Sequence, residues 1–154
     1  MNLLEPKVST NRRGTKRSEV EERGFPRGKI FLWRCSWGIL PTFDNFVQRR
    51  VASSSLCFRC HVNTETVFHA IRECVNSQQA WSQLALRRVF KFSNFVELCN
   101  AVWTYCSSGQ ACLFAIMCWT LWNDRNHLLH ESSSSPPNVL VQRAVEYVFF
   151  AKRK

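Results

Sequence analysis

Four side chains with metal-binding chemistry fall within eighteen residues: Cys57, Cys60, His69 and Cys74, in the pattern Cys-x2-Cys-x8-His-x4-Cys. Two residues between Cys57 and Cys60 let a tight turn aim both sulfurs at one point. Four residues between His69 and Cys74 suit a short helical turn that presents the second pair. Three thiolates and one imidazole close a tetrahedral shell and leave no position for water, the pattern of structural rather than catalytic zinc. Thiolates also disfavour Mg²⁺ and Ca²⁺, which take oxygen ligands. The expectation is one structural zinc ion. His61, beside Cys60, is a rival fourth ligand, but using it strains the loop and abandons the second pair. Cys35, Cys99, Cys106, Cys112 and Cys118 are expected to be small core residues.

A search for other chemistry returns little. Asp44 and Asp124 are the sole aspartates, far apart in the chain and each explained by a local helix role. His127 and His130, three apart, can share a helix face but lack nearby acidic partners. There is no Gly-rich phosphate loop, nucleophile elbow or zinc-hydrolase motif, so no enzyme and no small-molecule substrate are expected. The charge is more informative. The chain carries 21 Lys and Arg against 11 Asp and Glu, a formal net charge of +10, with the excess spread along its length. Such a balance suits a polyanion. Arg34, Arg49, Arg50, Arg59 and Arg72 flank the Cys/His cluster and are the candidate phosphate contacts, although each of them taken alone also serves as a solubilising charge. Phe58 is placed either to stack on a base or to pack over the Cys pair.

The elements that must position these groups read as mainly α. With 154 residues, 45% of them hydrophobic, and with twelve Phe and six Trp, the chain can build one compact core. The clear apolar runs lack two-residue alternation, so strands are not expected. Residues 1–25 mix charges with few apolar groups and read as a flexible, basic, disordered leader. The composition changes at Lys29, and a short helix is expected from Ile30 to Trp37, ended by Gly38. Leu40-Pro41-Thr42 turns into a second helix with Thr42 as N-cap and Asp44 in its first turn. Amphipathic helices are expected over 78–90 and 95–105, the latter from Phe95, Leu98, Val102 and Tyr105. A longer helix over 110–130, apolar almost all round until Trp122, should lie centrally in the core before turning polar at Asn123-Asp124-Arg125-Asn126. Ser132–Ser135 with Pro136 and Pro137 cannot continue a helix. The organisation expected is therefore a leader (1–25), a zinc-binding domain (26–90), a helical extension packed on it (91–130), a Ser/Pro linker (131–137) and a C-terminal amphipathic helix (138–154). The six tryptophans are expected mostly in the core. No secretory signal reads from Met1–Leu4, which soon meets Lys7, Arg12 and Arg13, so an intracellular, reducing compartment, nuclear or cytoplasmic, is expected, with no membrane anchoring.

With these residues in hand, the chain resembles the reverse transcriptase zinc-binding family of plant non-LTR retrotransposon polyproteins. The resemblance rests on Phe31-Leu32-Trp33-Arg34, Leu40-Pro41-Thr42, Asn45, Arg50, Cys57-x2-Cys60, Glu65, His69, Cys74 and Trp81. Trp119-x2-Trp122-x2-Arg125-Asn126 looks like that family's helical extension, and the match covers residues 26 to 130. Val75 departs from it, standing where many relatives carry Pro. The resemblance implies a segment placed between a polymerase and a ribonuclease H domain, and neither of those reads from this chain. It therefore looks like a detached, retroelement-derived zinc module that associates with RNA or single-stranded DNA without catalysis. The alternative is a structural or docking fragment that meets the polymerase or ribonuclease H regions of a parent polyprotein, with no independent activity.

Overall fold

The computed structural model describes residues 26–84, 86, 92–151 and 153. The expected leader, 1–25, and most of the expected helix beyond 84 lie outside them. Among the described residues the fold is all-helical, apart from one isolated antiparallel bridge between Leu56 and Thr64. The order is α1 (Pro26–Ser36), α2 (Phe43–Gln48), a π-helical turn (His69–Glu73), α3 (Val75–Trp81), α4 (Phe95–Tyr105), α5 (Ser108–Glu131) and α6 (Pro137–Ala151).

Helix α1 begins on Pro26, a residue pre-set for the first helical position. It stops where Gly38 takes φ +63°. There Ile39 N donates to Arg34 O (3.1 Å) and Gly38 N donates to Cys35 O (3.0 Å), which closes a Schellman motif. Asn45 then locks the α1–α2 turn, its Nδ2 donating to the carbonyls of Gly38 and Leu40, both at 2.7 Å. Thr42 caps α2 as expected, accepting from Asn45 N at 3.3 Å. The end of α2 repeats the Schellman pattern with Val51 N on Phe46 O (2.8 Å) and Arg50 N on Val47 O (3.0 Å). Here the left-handed position, φ +59°, is held by Arg50 instead of glycine.

Helix α5 organises the rest and packs against α1, α4, α6 and the π-helical turn. Ser107 and Gln110 start it with a reciprocal capping box. Its apolar first half is central: Phe114, Ile116, Met117, Cys118 and Leu121 are buried. The Phe114 ring touches Trp81 at 5.6 Å and Phe95 at 6.4 Å between centroids. Cys35, Cys99 and Cys118 are buried in this core, as expected, and burial pushes their thiols up, Cys99 to about 12. Cys106 and Cys112 are only half-buried.

Three expectations change. Helix α3 runs from Val75 to Trp81, earlier than the 78–90 segment, because it starts directly from the ligand Cys74. Tyr105 is 80% exposed, since α4 ends there and its buried face closes at Val102. Tryptophan burial is divided: Trp81 and Trp122 are in the core, while Trp33, Trp37 and Trp103 are exposed. Trp33 on α1 and Trp37 just past its end lie on the side away from the buried Phe31, Leu32 and Cys35, while Trp103 meets Phe114 edge-on at 6.5 Å and leaves the rest of its ring in water. No helix among the described residues is long and apolar enough to cross a membrane.

Candidate metal centre

The first ligand pair sits on a small knuckle. Its arms are joined by the Leu56–Thr64 bridge, by Cys57 N donating to Asn63 O (2.8 Å), and by Glu65 N donating to Ser55 O (2.7 Å). At the tip His61 N donates to Cys57 O (2.8 Å) with His61 at φ +56°, which folds Cys60 back beside Cys57.

The second pair depends on an unusual local structure. In a regular α-helix a residue five positions on lies about 140° around the axis, so His69 and Cys74 would diverge. Here the helix widens into a π-turn, and Cys74 N donates to His69 O at 2.7 Å. That i to i+5 closure brings both ligands to one side. Widening frees carbonyls that a regular helix would use, and these find side-chain donors. Ala70 O accepts from Ser77 Oγ (2.7 Å) and from Arg59 Nη2, and Ile71 O accepts from Trp81 Nε1 (2.8 Å). Helix α3 thereby ties the widened turn to the core, meeting the requirement that buried carbonyls be paired.

All four ligand atoms lie within 4.8 Å of one another. Cys57 Sγ and Cys74 Sγ are 3.9 Å apart, and Cys60 Sγ and His69 Nε2 are 3.4 Å apart. Bonds of about 2.3 Å to sulfur and about 2.0–2.1 Å to nitrogen in a tetrahedron give edges of about 3.8 and about 3.5 Å. The match is close. His61 is exposed with its ring 6.0 Å from Phe58, and it takes no part in the cluster. Phe58 in turn stacks on Phe43 of α2 at 6.3 Å.

The electrostatics are those of ligands that share too few protons. The hydrogen bond from Cys74 holds the Cys57 thiol far below its ordinary range, and the same contact pushes Cys74 up. His69 is raised, first by its hydrogen bond to Cys57. For Cys60, burial raises the thiol, but hydrogen bonds from the Asn63 and Val62 backbone outweigh it and bring the pKa down. A dication relieves this crowding of sulfur and nitrogen lone pairs, and three sulfurs with one imidazole select zinc. The four residues make one zinc site.

Behind the site lies a clasp that spacing did not reveal. Glu65, fully buried, closes the knuckle and accepts from Arg125 of α5 sixty residues away: Nε to Oε2 is 3.2 Å, and Nη2 pairs with Oε1. Glu65 also receives Phe43 N on Oε1 (3.1 Å) and Asp44 N on its carbonyl (3.2 Å), satisfying the start of α2. The Arg125 guanidinium lies 4.7 Å from the Trp122 ring centroid and 5.5 Å from that of Phe43. The helix does run on through the polar residues after Trp122, as expected, but they are not a solvated face: Asp124 and Arg125 are both buried. Asp124 accepts from Ser135 N at 2.7 Å and so fastens the Ser/Pro linker to α5. The only sequence signal for Glu65 and Arg125 was their shared presence in the family resemblance. His127 and His130 are exposed, and the expectation that they lack an acidic partner is corrected for His127, whose Nδ1 lies 3.1 Å from Glu131 Oε2 one helical turn on.

The five flanking arginines divide. Arg34, Arg49 and Arg50 are exposed. Arg59 is half-buried, its guanidinium engaged by Ala70 and by Ser77 Oγ at 3.0 Å. Arg72 is also half-buried, and burial lowers its pKa.

Fold and site together define a small helical module built on a closed Cys3His zinc centre. Residues 9–81 match the family model described as zinc-binding in reverse transcriptase, a stretch that takes in all four ligands and ends at Trp81. No curated protein and no solved structure matches the chain. Helices α4 to α6 lie beyond the matched stretch.

Proposed function

We propose that this chain is a retroelement-derived zinc module, of the kind found in plant non-LTR elements, that associates with RNA or single-stranded DNA and carries no catalysis itself. The closed Cys3His set supports a structural role, because it offers no coordination position for a reacting water. The observation that carries nucleic-acid association is the pair at the end of α2. Arg49 and Arg50 are both exposed, and Arg50 holds a left-handed backbone that glycine would adopt without cost. A strained residue kept at an exposed corner is a pointer to function. Arg34 adds a third exposed cation, and the chain as a whole carries +10. Arg59, engaged by Ala70 O and Ser77 Oγ, is committed to holding the widened turn, and Arg72 is half-buried, so neither offers a free cation comparable to Arg49 and Arg50.

The test is RNA binding across a salt series for wild type and an Arg49→Ala/Arg50→Ala variant. Counterion release makes affinity fall with salt, and each lost phosphate contact on a single strand reduces the slope by about 0.7. The double variant should bind more weakly with a shallower slope and unchanged zinc content. Equal affinity and slope would remove these residues from the interface. A docking role in a parent polyprotein is the second reading, favoured by the exposed Trp103, Tyr105, Phe149 and Phe150. It predicts weak oligonucleotide binding that is indifferent to Arg49 and Arg50.

A further inference from the structure

The inner face of α1 is used up: Phe31, Leu32 and Cys35 are buried in the core. Its outer face is not a polar one. Ile30, Trp33, Arg34 and Trp37 fall on one stripe at helical spacing, with Trp33 45% and Trp37 66% exposed. The two indoles are neighbours, with centroids 6.1 Å apart and planes tilted by 51°. Tryptophan is the side chain that gains most from burial, and leaving two in water on a helix that already has a packed face is costly. The helix end that presents them is rigid, held by the Schellman closure at Gly38 and by the Asn45 bridge to Gly38 and Leu40.

Charge selects the occupant. The sequence of α1 contains no acid, Lys29 and Arg34 are exposed, and Arg34 lies on the tryptophan stripe. The next acid along the chain, Asp44, is half-buried and accepts from Gln48 Nε2 at 3.0 Å. A face that interleaves aromatic rings with cations fits a strand whose bases stack while its phosphates are neutralised. Stacking selects single strands over duplex. In a double helix both faces of each base are covered by the neighbouring pairs, so an indole has no base face to meet, whereas an unpaired strand can splay its bases onto aromatic side chains. Two exposed indoles 6.1 Å apart offer two such ring faces side by side.

We infer that the outer face of α1 is a base-stacking platform for single-stranded nucleic acid, with Trp33 and Trp37 each taking one base and Arg34 and Lys29 the phosphates. This rests on the nucleic-acid reading above and assigns it a second contact surface, distinct from the Arg49–Arg50 corner.

The experiment uses the zinc-loaded full chain, titrated with oligothymidylate, oligouridylate and a duplex of equal length while tryptophan fluorescence is followed. Single strands should quench the emission and bind more tightly than duplex. Trp33→Phe/Trp37→Phe should abolish most of the quench while keeping affinity within a few-fold, because phenylalanine still stacks. Trp33→Ala and Trp37→Ala should each weaken binding on the order of tenfold. Arg34→Ala should lower both the affinity and the salt slope, the latter by about 0.7 on a single strand. Zinc content and melting temperature identify any variant that misfolds, and the phenylalanine pair keeps the test decisive in that case. If the alanine variants bind like wild type while Arg49→Ala/Arg50→Ala does not, the platform is wrong and the nucleic-acid reading survives. If no oligonucleotide binds at all, both fall. Saturation without quenching, or equal affinity for duplex, overturns the platform and leaves this face to a protein partner.

Discussion

The knuckle and the α5 layer stabilise themselves in opposite ways. Between Val51 and Thr66 the buried side chains are Cys57 and Glu65, while Val51, Leu56 and Val62 face water. This stretch hides almost no hydrocarbon, and its backbone is held by a single bridge and a few turn hydrogen bonds. Around α5, by contrast, Phe114, Ile116, Met117, Cys118 and Leu121 sit in one continuous core with Trp81, Phe95, Val102 and Leu140. Apolar burial is non-directional and tolerates modest change, whereas a four-ligand site is all or none. One chain thus contains a segment with little hydrophobic support beyond its ligand cluster and a segment with a continuous apolar core, joined by the Glu65–Arg125 pair.

The largest effect expected from that contrast is metal loss. Apparent zinc-binding energies of small structural sites are on the order of 10–16 kcal/mol, comparable with the whole stability of a domain. Chelation, or Cys74→Ser, should abolish protection from proteolysis and hydrogen exchange across 55–80 while α5 and α6 stay largely protected. Cys112→Ser, half-buried and away from the cluster, should keep full zinc content. Equal protection of the knuckle with and without chelator would break the comparison. The sign of the proton exchange sharpens it further. Cys74 and His69 both hold their protons more firmly than usual without metal, so zinc uptake near neutral pH should release protons. Calorimetry in buffers of different ionisation enthalpy measures this.

Next in size is the core. Phe114→Ala should cost about 3–5 kcal/mol in chemical denaturation, from lost burial and the cavity left behind, while zinc stoichiometry stays at one. Loss of metal along with the core would mean that the two regions fold as one unit.

The clasp comes third and reports on the joint between the regions. Arg125→Ala or Glu65→Ala leaves an uncompensated buried charge and should cost about 3–5 kcal/mol. A Glu65→Gln/Arg125→Met pair should recover much of that loss, because replacing both charges removes two desolvation penalties. Additive losses in the double variant would show that the two residues act independently.

The smallest effect concerns Arg50. Arg50→Gly relieves a left-handed backbone at the end of α2 and should stabilise the fold by about 1 kcal/mol, read as a higher melting temperature, while weakening RNA binding. A gain in stability together with unchanged RNA affinity would make the strain purely structural.

The ligand set was legible because it is local. Cys57-x2-Cys60 and His69-x4-Cys74 each lie within reach of a single turn, so residue type and spacing carry the geometry. Two caps were legible for the same reason: Thr42 and Gly38 act on backbone groups within a few residues, whereas the Ser107–Gln110 box that starts α5 emerged only from the structure. The long apolar run of α5 announced its own burial, since a helix that is hydrophobic all round has nowhere else to go. Only the tertiary structure decided the rest. A spacing of five between ligands does not say that the helix must widen into a π-turn, nor that Ser77, Arg59 and Trp81 will take up the freed carbonyls. Glu65 sits in a polar run and Arg125 in another, and nothing within sixty residues of chain pairs them until α5 crosses behind the knuckle. Which tryptophans are buried was likewise set by packing. Trp81 and Trp33 have the same chemistry, but Trp81 faces Phe114 and Trp33 faces outward, because a helix with one packed face must turn the other to solvent.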